Sequence, residues 1–145
     1  MANKKKKLTI SKEKKKAWDL FSQYIRLRDC IITTGTLEYA ICVTCESKYH
    51  FKQLQGGHFL PGRHNSVLFD ERNCHAQCHG CNMFKQGNTV RYFRFMQEHY
   101  GEEIIQELEQ KDRELKQFKI YELQELQEKL KLKIEKLKVN HNVPV

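Results

Sequence analysis

Two Cys-x-x-Cys pairs, Cys42-Val43-Thr44-Cys45 and Cys78-His79-Gly80-Cys81, stand 32 residues apart in a chain of 145. Four thiolates so arranged suit one tetrahedral zinc ion, and a site closed by four protein ligands is structural rather than catalytic. Cys42, Cys45, Cys78 and Cys81 are therefore expected to hold zinc and to pin both ends of the intervening segment. A histidine, His58, lies inside that span, in Gly56-Gly57-His58-Phe59.

The composition explains why such a staple is needed. Hydrophobic residues make up 39% of the chain and charged residues 30%, which leaves a small core. Six cysteines in a cytosolic setting favour metal ligation over disulfides. The two unpaired ones, Cys30 and Cys74, read as ordinary small apolar residues. No apolar run approaches the roughly 18 residues of a membrane span. The lysine-rich start has no apolar stretch behind it, so a signal peptide is not expected.

The formal net charge of +8 is concentrated at the start, where residues 1–16 hold eight lysines and one glutamate. A lysine-rich tail can neutralise phosphates through counterion release, which makes nucleic acid the expected partner. Candidate phosphate contacts are Lys14, Lys15 and Lys16, with Arg63, Arg91 and Arg94 further on.

The pattern predicts a tail over 1–10 and then, from an N-cap at Ser11, a helix over Lys12–Asp29. Trp18, Phe21, Tyr24, Ile25 and Leu27 would form its core stripe. Residues 31–39 are β-branched and turn-prone, with Thr34-Gly35-Thr36 as the turn. Tyr49–Gln55 reads as a strand leading to His58, and Asn73–Gln77 as a second strand. Cys78–Gln86 should be a short helix stopped by Gly87-Asn88. A helix over Val90–His99 would face Tyr92, Phe93 and Met96 inward, and another covers Glu102–Glu109. Over Tyr121–Lys138, Leu123, Leu126, Leu130 and Leu137 fall at heptad-like spacing. That helix could pack on its own domain or make a dimer contact. The expected organisation is a disordered basic tail (1–10), a helix plus zinc-bound core (11–110) and a helical extension (111–145).

A compact strand–loop–strand–helix unit of this kind can hydrolyse a phosphodiester. It needs a histidine as general base, a side chain that orients the imidazole, and a helix residue that ligates a divalent cation at the scissile phosphate. His58, Asn73 and Asn82 suit these roles in that order, at spacings of 15 and 9 residues. Asn73 lies five residues before Cys78, and Asn82 directly follows Cys81. This resembles the HNH pattern with Asn in its last position. The fold class expected is α+β: a small zinc-stapled, HNH-like ββα-metal core flanked by N- and C-terminal helices. His75, two residues after Asn73, is a candidate additional cation ligand.

The chain also resembles the phage recombination family of lambda NinG, also called Rap. The resemblance is carried by Trp18-Asp-Leu-Phe21, Tyr24-Ile-Arg-Leu-Arg-Asp29, Cys42-Val-Thr-Cys45, Gly57-His58-Phe59 and Phe69-Asp-Glu-Arg-Asn73. It continues through Ala76-Gln-Cys78, Gly80-Cys-Asn82, Gly87-Asn88 and Tyr100-Gly101, over roughly residues 11–138. It implies a structure-specific DNA endonuclease acting on branched recombination intermediates such as Holliday junctions and D-loops. By position, His58 would be the base, Asn73 its orienting partner and Asn82 the cation ligand. It also implies a phage- or prophage-encoded protein acting in the cytoplasm of a bacterial host.

Many HNH sites carry Asp or His just before the base, where this chain has Gly57. A second cation ligand would then come from His75, Asp70 or Glu71. Mg²⁺ is the default cation, because phosphate and water can complete its shell, and Mn²⁺ is the other candidate. A homodimer is expected by analogy with the two-fold symmetry of junctions. The competing expectation is a non-catalytic zinc-containing DNA-binding accessory protein, which would not require His58, Asn73 and Asn82 together.

Overall fold

The structure is a computed structural model that describes residues 7–61 and 64–141. Arg63 and most of the basic tail expected over 1–10 lie outside the described residues.

The first helix, α1 (Ile10–Thr34), begins earlier and ends later than its sequence pattern predicts. Thr9 rather than Ser11 caps it, accepting from the Lys12 N–H at 3.2 Å. It runs past Asp29 to Thr34, and this added turn is tied to the strand that follows: the Thr33 hydroxyl donates to Asp29 O at 2.7 Å and accepts from Ile41 N–H at 3.0 Å, while the Thr34 hydroxyl donates to Tyr39 O at 2.7 Å. These bonds satisfy hydroxyls that otherwise compete with the helix. Gly35 ends it at φ 73, donating to Ile31 O at 2.9 Å, a left-handed C-cap of the kind glycine supplies cheaply.

Two antiparallel hairpins follow. β1 (Tyr39–Ile41) pairs with β2 (Lys48–His50), and β3 (Leu54–His58) pairs with β4 (Cys74–Cys78). The single strand expected over Tyr49–Gln55 is broken by a 3-10 turn at Phe51–Gln53. Its cause is local. The His50 ring accepts from Lys52 N–H at 3.1 Å, while His50 N–H donates to Gln53 Oε1 at 3.2 Å, forming a capping box. The hairpins are therefore separate two-stranded sheets. The short helix α2 (Asn65–Leu68) bridges β3 and β4, burying Val67 and Leu68.

The pleat sorts β3 and β4 into two faces. Leu54, Gly56, His58, Cys74 and Ala76 look toward α1, where Phe21, Ile25 and Cys30 are buried against them. Gln55, Gly57, His75 and Gln77 occupy the other face. The free edge of β4 is closed by side chains. Asp29 accepts from Ala76 N–H at 2.7 Å, and Arg28 donates to the carbonyls of Cys74 and Glu71 at 2.8 and 2.7 Å. Val43 N–H adds a bond to Ala76 O at 3.0 Å. A buried strand edge without such partners would leave orphaned backbone groups.

Helices α3 (Thr89–His99) and α4 (Glu102–Asp112) bury Tyr92, Met96, Ile105 and Leu108 together. Phe93 is 37% exposed rather than inward, because Tyr92 and Met96 already fill the i, i+4 stripe. The last helix, α5 (Ile120–Asn140), lies along α1 and buries Leu123, Gln127, Leu130 and Ile134. Gln127 donates to the buried Glu13 carboxylate at 2.8 Å and to its carbonyl at 3.0 Å. Much of the leucine spacing is thus used within the chain. Cys30 and Cys74 are buried, and burial pushes the Cys30 thiol up to about 11, so both act as apolar filler. The fold is α+β. No helix among the described residues is long and apolar enough to cross a membrane.

Candidate active site and metal centre

The turn between β1 and β2 carries Cys42 and Cys45. The end of β4 carries Cys78, and the next turn carries Cys81. All four Sγ atoms lie within 4.8 Å of one another, the only group of three or more His, Cys, Asp or Glu among the described residues able to hold a metal ion. Cys45 and Cys78 Sγ are 3.8 Å apart. Tetrahedral zinc with bonds of about 2.3 Å requires roughly that separation, so the donor set fits zinc. Cys78 and Cys81 N–H groups point at Cys42 and Cys78 Sγ, at 3.3 and 3.4 Å, and Asn88 Nδ2 reaches Cys81 Sγ at 3.6 Å. Such donors stabilise thiolate ligands. Burial pushes the Cys45 thiol up, but hydrogen bonds from Ser47, Cys42 and Cys78 outweigh it and bring it down to about 6. Because the pairs sit on different hairpins, a metal here ties the two sheets together.

The helix expected over Cys78–Gln86 is instead one π-helical turn, Gly80–Phe84, closed by Lys85 N–H to Gly80 O at 3.0 Å. Gln86, Gly87 and Asn88 then all take positive φ (50°, 85° and 48°), which stops any regular helix until Thr89. Bringing Cys81 onto the sulfur cluster within three residues of Cys78 favours this wider turn over a regular α-helix.

His58 closes β3. Its ring stacks on Trp18, with centroids 4.9 Å apart, and Nε2 donates to the Leu68 carbonyl at 3.0 Å. A carbonyl only accepts, so the proton sits on Nε2 and Nδ1 keeps its lone pair. Burial holds the imidazole below its ordinary pKa, partly opposed by the Leu68 bond. The ring is therefore neutral at pH 7 and fixed in one tautomer. Ser11, Lys14, Lys15, Trp18 and Leu68 line an open depression of about 450 Å³ beside it. Two of its walls, Trp18 and Leu68, are the residues that hold His58. Trp18 is therefore half core and half site wall, a role that helical periodicity alone cannot distinguish.

Asn73 is fully buried and, among the described residues, makes no hydrogen bond to the imidazole. It accepts from Leu60 N–H at 2.8 Å and donates to the carbonyls of Leu60 and Val67, at 2.9 and 3.3 Å. It pins the loop after His58 to α2, and the direct orienting contact comes from the Leu68 carbonyl. Asn82 lies on the π turn and donates to Gln55 Oε1 at 2.7 Å, which places it with the face opposite His58. Among the described residues no hydrogen bond connects the two. Its Oδ1 has no partner there.

The candidate second cation ligands are engaged elsewhere. His75 lies between two tyrosines, its Nδ1 3.1 Å from Tyr92 Oη and its Nε2 2.8 Å from Tyr100 Oη. Tyr92 donates to Gly57 O at 2.7 Å, so Nδ1 must carry the His75 proton and Nε2 must accept from Tyr100. His75 thus supports the Gly57-His58 peptide from below and has no lone pair left for a cation. Asp70 is held by Arg72 at 2.9 Å and by Lys111 at 2.8 Å, and Glu71 by Lys133 at 3.1 Å.

Gly57 has a steric cause. A Cβ there would lie 2.1 Å from Gln77 Oε1 and 2.8 Å from Gln77 Cβ. The buried Gln77 amide, donating to Thr44 at 3.0 Å and Gly87 at 2.8 Å, occupies the space an acidic residue would need. Gly57→Ala is expected to lower unfolding free energy by about 2 kcal/mol through overpacking. A urea midpoint equal to that of the parent chain would contradict this.

Burial lowers the His75 pKa well below 6.5, with smaller contributions from Arg28 and His99. A folded-state pKa below the unfolded one gives stability that is complete above about pH 6.5 and is lost as pH falls through the folded value. Each such imidazole should cost up to about 1.4 kcal/mol per pH unit below that point. Urea melts at pH 7.5 and 5.5 should show a smaller drop for His75→Gln than for the parent. Equal drops would assign the acid sensitivity to other groups.

Lys15 and Lys16 pair with Asp19 and Glu13, at 3.0 and 3.2 Å, whereas Lys14 borders the His58 depression. Arg91 and Arg94 are exposed on α3 and, among the described residues, form no salt bridge. They share a recess with Thr44, Glu46 and Glu98.

The molecule is thus a cysteine-stapled α+β protein in which two hairpins meet at a four-thiol centre between long helices. A family described as the Bacteriophage Lambda NinG protein matches residues 1–140, and the chain belongs to that family. The protein ninG of Enterobacteria phage H19B is 34% identical over 100 residues, covering 66% of this chain and 43% of that protein. The protein ninG of Escherichia phage 933W is similar to the same extent. The chain thus matches less than half the length of these relatives. No solved structure matches it.

Proposed function

We propose that the protein is a DNA endonuclease that hydrolyses phosphodiesters in branched recombination intermediates, such as Holliday junctions and D-loops, in the cytoplasm of a phage-infected bacterium. The observation that carries this reading is His58: a neutral imidazole with a defined tautomer, held by Trp18 and the Leu68 carbonyl, two residues that also wall a depression bordered by Lys14 and Lys15. Nδ1 takes a proton from water, the water oxygen bonds to phosphorus, and the bond to the 3′ oxygen breaks; that oxygen takes a proton from solvent water, leaving a 5′-phosphate and a 3′-hydroxyl. Lys14 and Lys15 hold neighbouring phosphates, and Arg91 and Arg94 add contacts from α3. Zinc at Cys42, Cys45, Cys78 and Cys81 keeps the two hairpins in register.

A divalent cation, Mg²⁺ or Mn²⁺, would stabilise the leaving oxygen. The described residues do not form a site for it, since Asn82 Oδ1 is one neutral oxygen and Asp70, Glu71 and His75 are engaged. Such an ion would enter mainly on phosphate and water. The same fact favours a second reading, a zinc-containing DNA-binding accessory protein without catalysis. Incubating four-way junction, flap and linear duplex with the purified chain in Mg²⁺ or Mn²⁺ separates the two. Junction cleavage supports the nuclease, and salt-dependent binding with no cleavage in either metal supports the accessory protein.

A further inference from the structure

We infer that Phe84, on the π turn that carries Cys81 of the thiol cluster, is a stacking platform for an unpaired nucleobase. The inference rests on the nuclease reading for the kind of nucleic acid, but the contact itself needs no catalysis. Phe84 is 81% exposed and its neighbour Met83 58% exposed, an unusual place for two large apolar side chains. Their backbone is held from several sides. Cys81 of the same turn belongs to the thiol cluster, Gly87 N–H donates to Cys81 O at 2.9 Å, and Asn88 N–H donates to Lys85 O at 2.8 Å. Gln86 and Asn88 adopt left-handed backbone that non-glycine residues take at some cost. A turn closed in this way holds the backbone under Phe84 in place, so little backbone freedom remains to be lost on binding.

The surroundings choose the occupant. His79 packs edge-on to the Phe84 ring at 5.3 Å. Gln55 Nε2 donates to His79 Nδ1 at 3.1 Å, so the outer nitrogen, Nε2, carries the proton and is a donor. Lys85, also exposed, follows Phe84 directly. One apolar ring face bordered by an imidazole N–H and an ammonium matches a base with its phosphate. It fits an apolar peptide poorly, because that would bury the donors unpaired. Every base has a π face, so such a platform favours unpaired nucleotides without reading sequence.

The test uses the full chain with no added divalent cation, so that no strand is cut. Two probes are titrated: a duplex with one bulged 2-aminopurine, and the same duplex fully paired. The parent should bind the bulged probe more tightly and change its fluorescence. Phe84→Ala should weaken bulge binding at least about five-fold while duplex binding is retained, and Phe84→Trp should restore it. Equal affinity of Phe84→Ala and the parent for the bulge, an equal loss on both probes, or no binding by the parent would each overturn the inference. So would a change confined to self-association in sedimentation, which would assign the patch to a second copy of the chain. His58→Ala separates this from the parent reading. If that variant keeps junction cleavage while Phe84→Ala loses bulge binding, only the nuclease assignment fails. If His58→Ala abolishes cleavage and Phe84→Ala binds normally, only the platform fails.

Discussion

On the proposed nuclease reading, His58→Ala is expected to lower the rate of junction cleavage by about 10²–10⁴-fold, the usual contribution of a positioned general base. Junction affinity should be nearly unchanged, because the substitution leaves Lys14, Lys15, Arg91 and Arg94 in place. The variant also removes the stack on Trp18 and the bond to Leu68, so folding has to be followed in parallel. A cooperative melt within a few degrees of the parent, together with partial rescue by added imidazole, would separate lost chemistry from lost structure. The pH profile gives a second check. Burial lowers the His58 pKa, so the base is already deprotonated at neutral pH. The rate should be level above about pH 6.5 and fall only on the acid side. An unchanged cleavage rate in His58→Ala would remove His58 from the mechanism altogether.

Metal removal should have the largest effect on stability. Structural zinc in small domains contributes on the order of 10 kcal/mol, comparable to the whole stability of a domain this size. The four thiols join two hairpins whose backbones are otherwise bridged mainly by Val43 N–H to Ala76 O, at 3.0 Å. Chelation, or Cys42→Ser, is expected to lower the melting temperature by roughly 10 °C or more. The β1–β2 hairpin should lose hydrogen-exchange protection before the α1–α5 pair, whose core of Phe21, Ile25 and Leu130 with Cys74 of β4 includes no residue of that hairpin. The as-purified chain should contain one zinc ion per molecule. Cobalt substitution should give a thiolate-to-metal charge-transfer band that disappears in Cys42→Ser. Stoichiometric metal with an unchanged melt in that variant would mean that the ion is not what holds the hairpins together.

Several elements were readable because their signals are local. The Cys-x-x-Cys spacing fixes which thiols can meet, and period-3.6 stripes mark α1, α3 and α5. The second strand, expected over Asn73–Gln77 and found over Cys74–Cys78, follows from a short run between turn residues, whereas the first, expected over Tyr49–Gln55, overlaps β3 only at Leu54 and Gln55. Where the reading missed, a longer-range or backbone-specific effect decided. Thr33 and Thr34 tie the added last turn of α1 to Ile41 and Tyr39 of β1. The His50–Gln53 capping box cut one expected strand in two. A π turn replaced the helix expected at Cys78–Gln86, because bringing Cys81 onto the sulfur cluster outweighs helical propensity over a few residues.

The two cysteine pairs in the sequence, by themselves, determined that one four-thiol centre could form and that His58 would lie within its span. Donor chemistry and spacing are properties of the chain. Only the tertiary structure decided that the pairs sit on separate hairpins and that Trp18 and the Leu68 carbonyl hold the imidazole. The same holds for Gln77 filling the space beside Gly57. Each of these depends on which face of a strand meets which helix. Distant segments set that choice through the burial and hydrogen bonding they share, and no residue spacing encodes it.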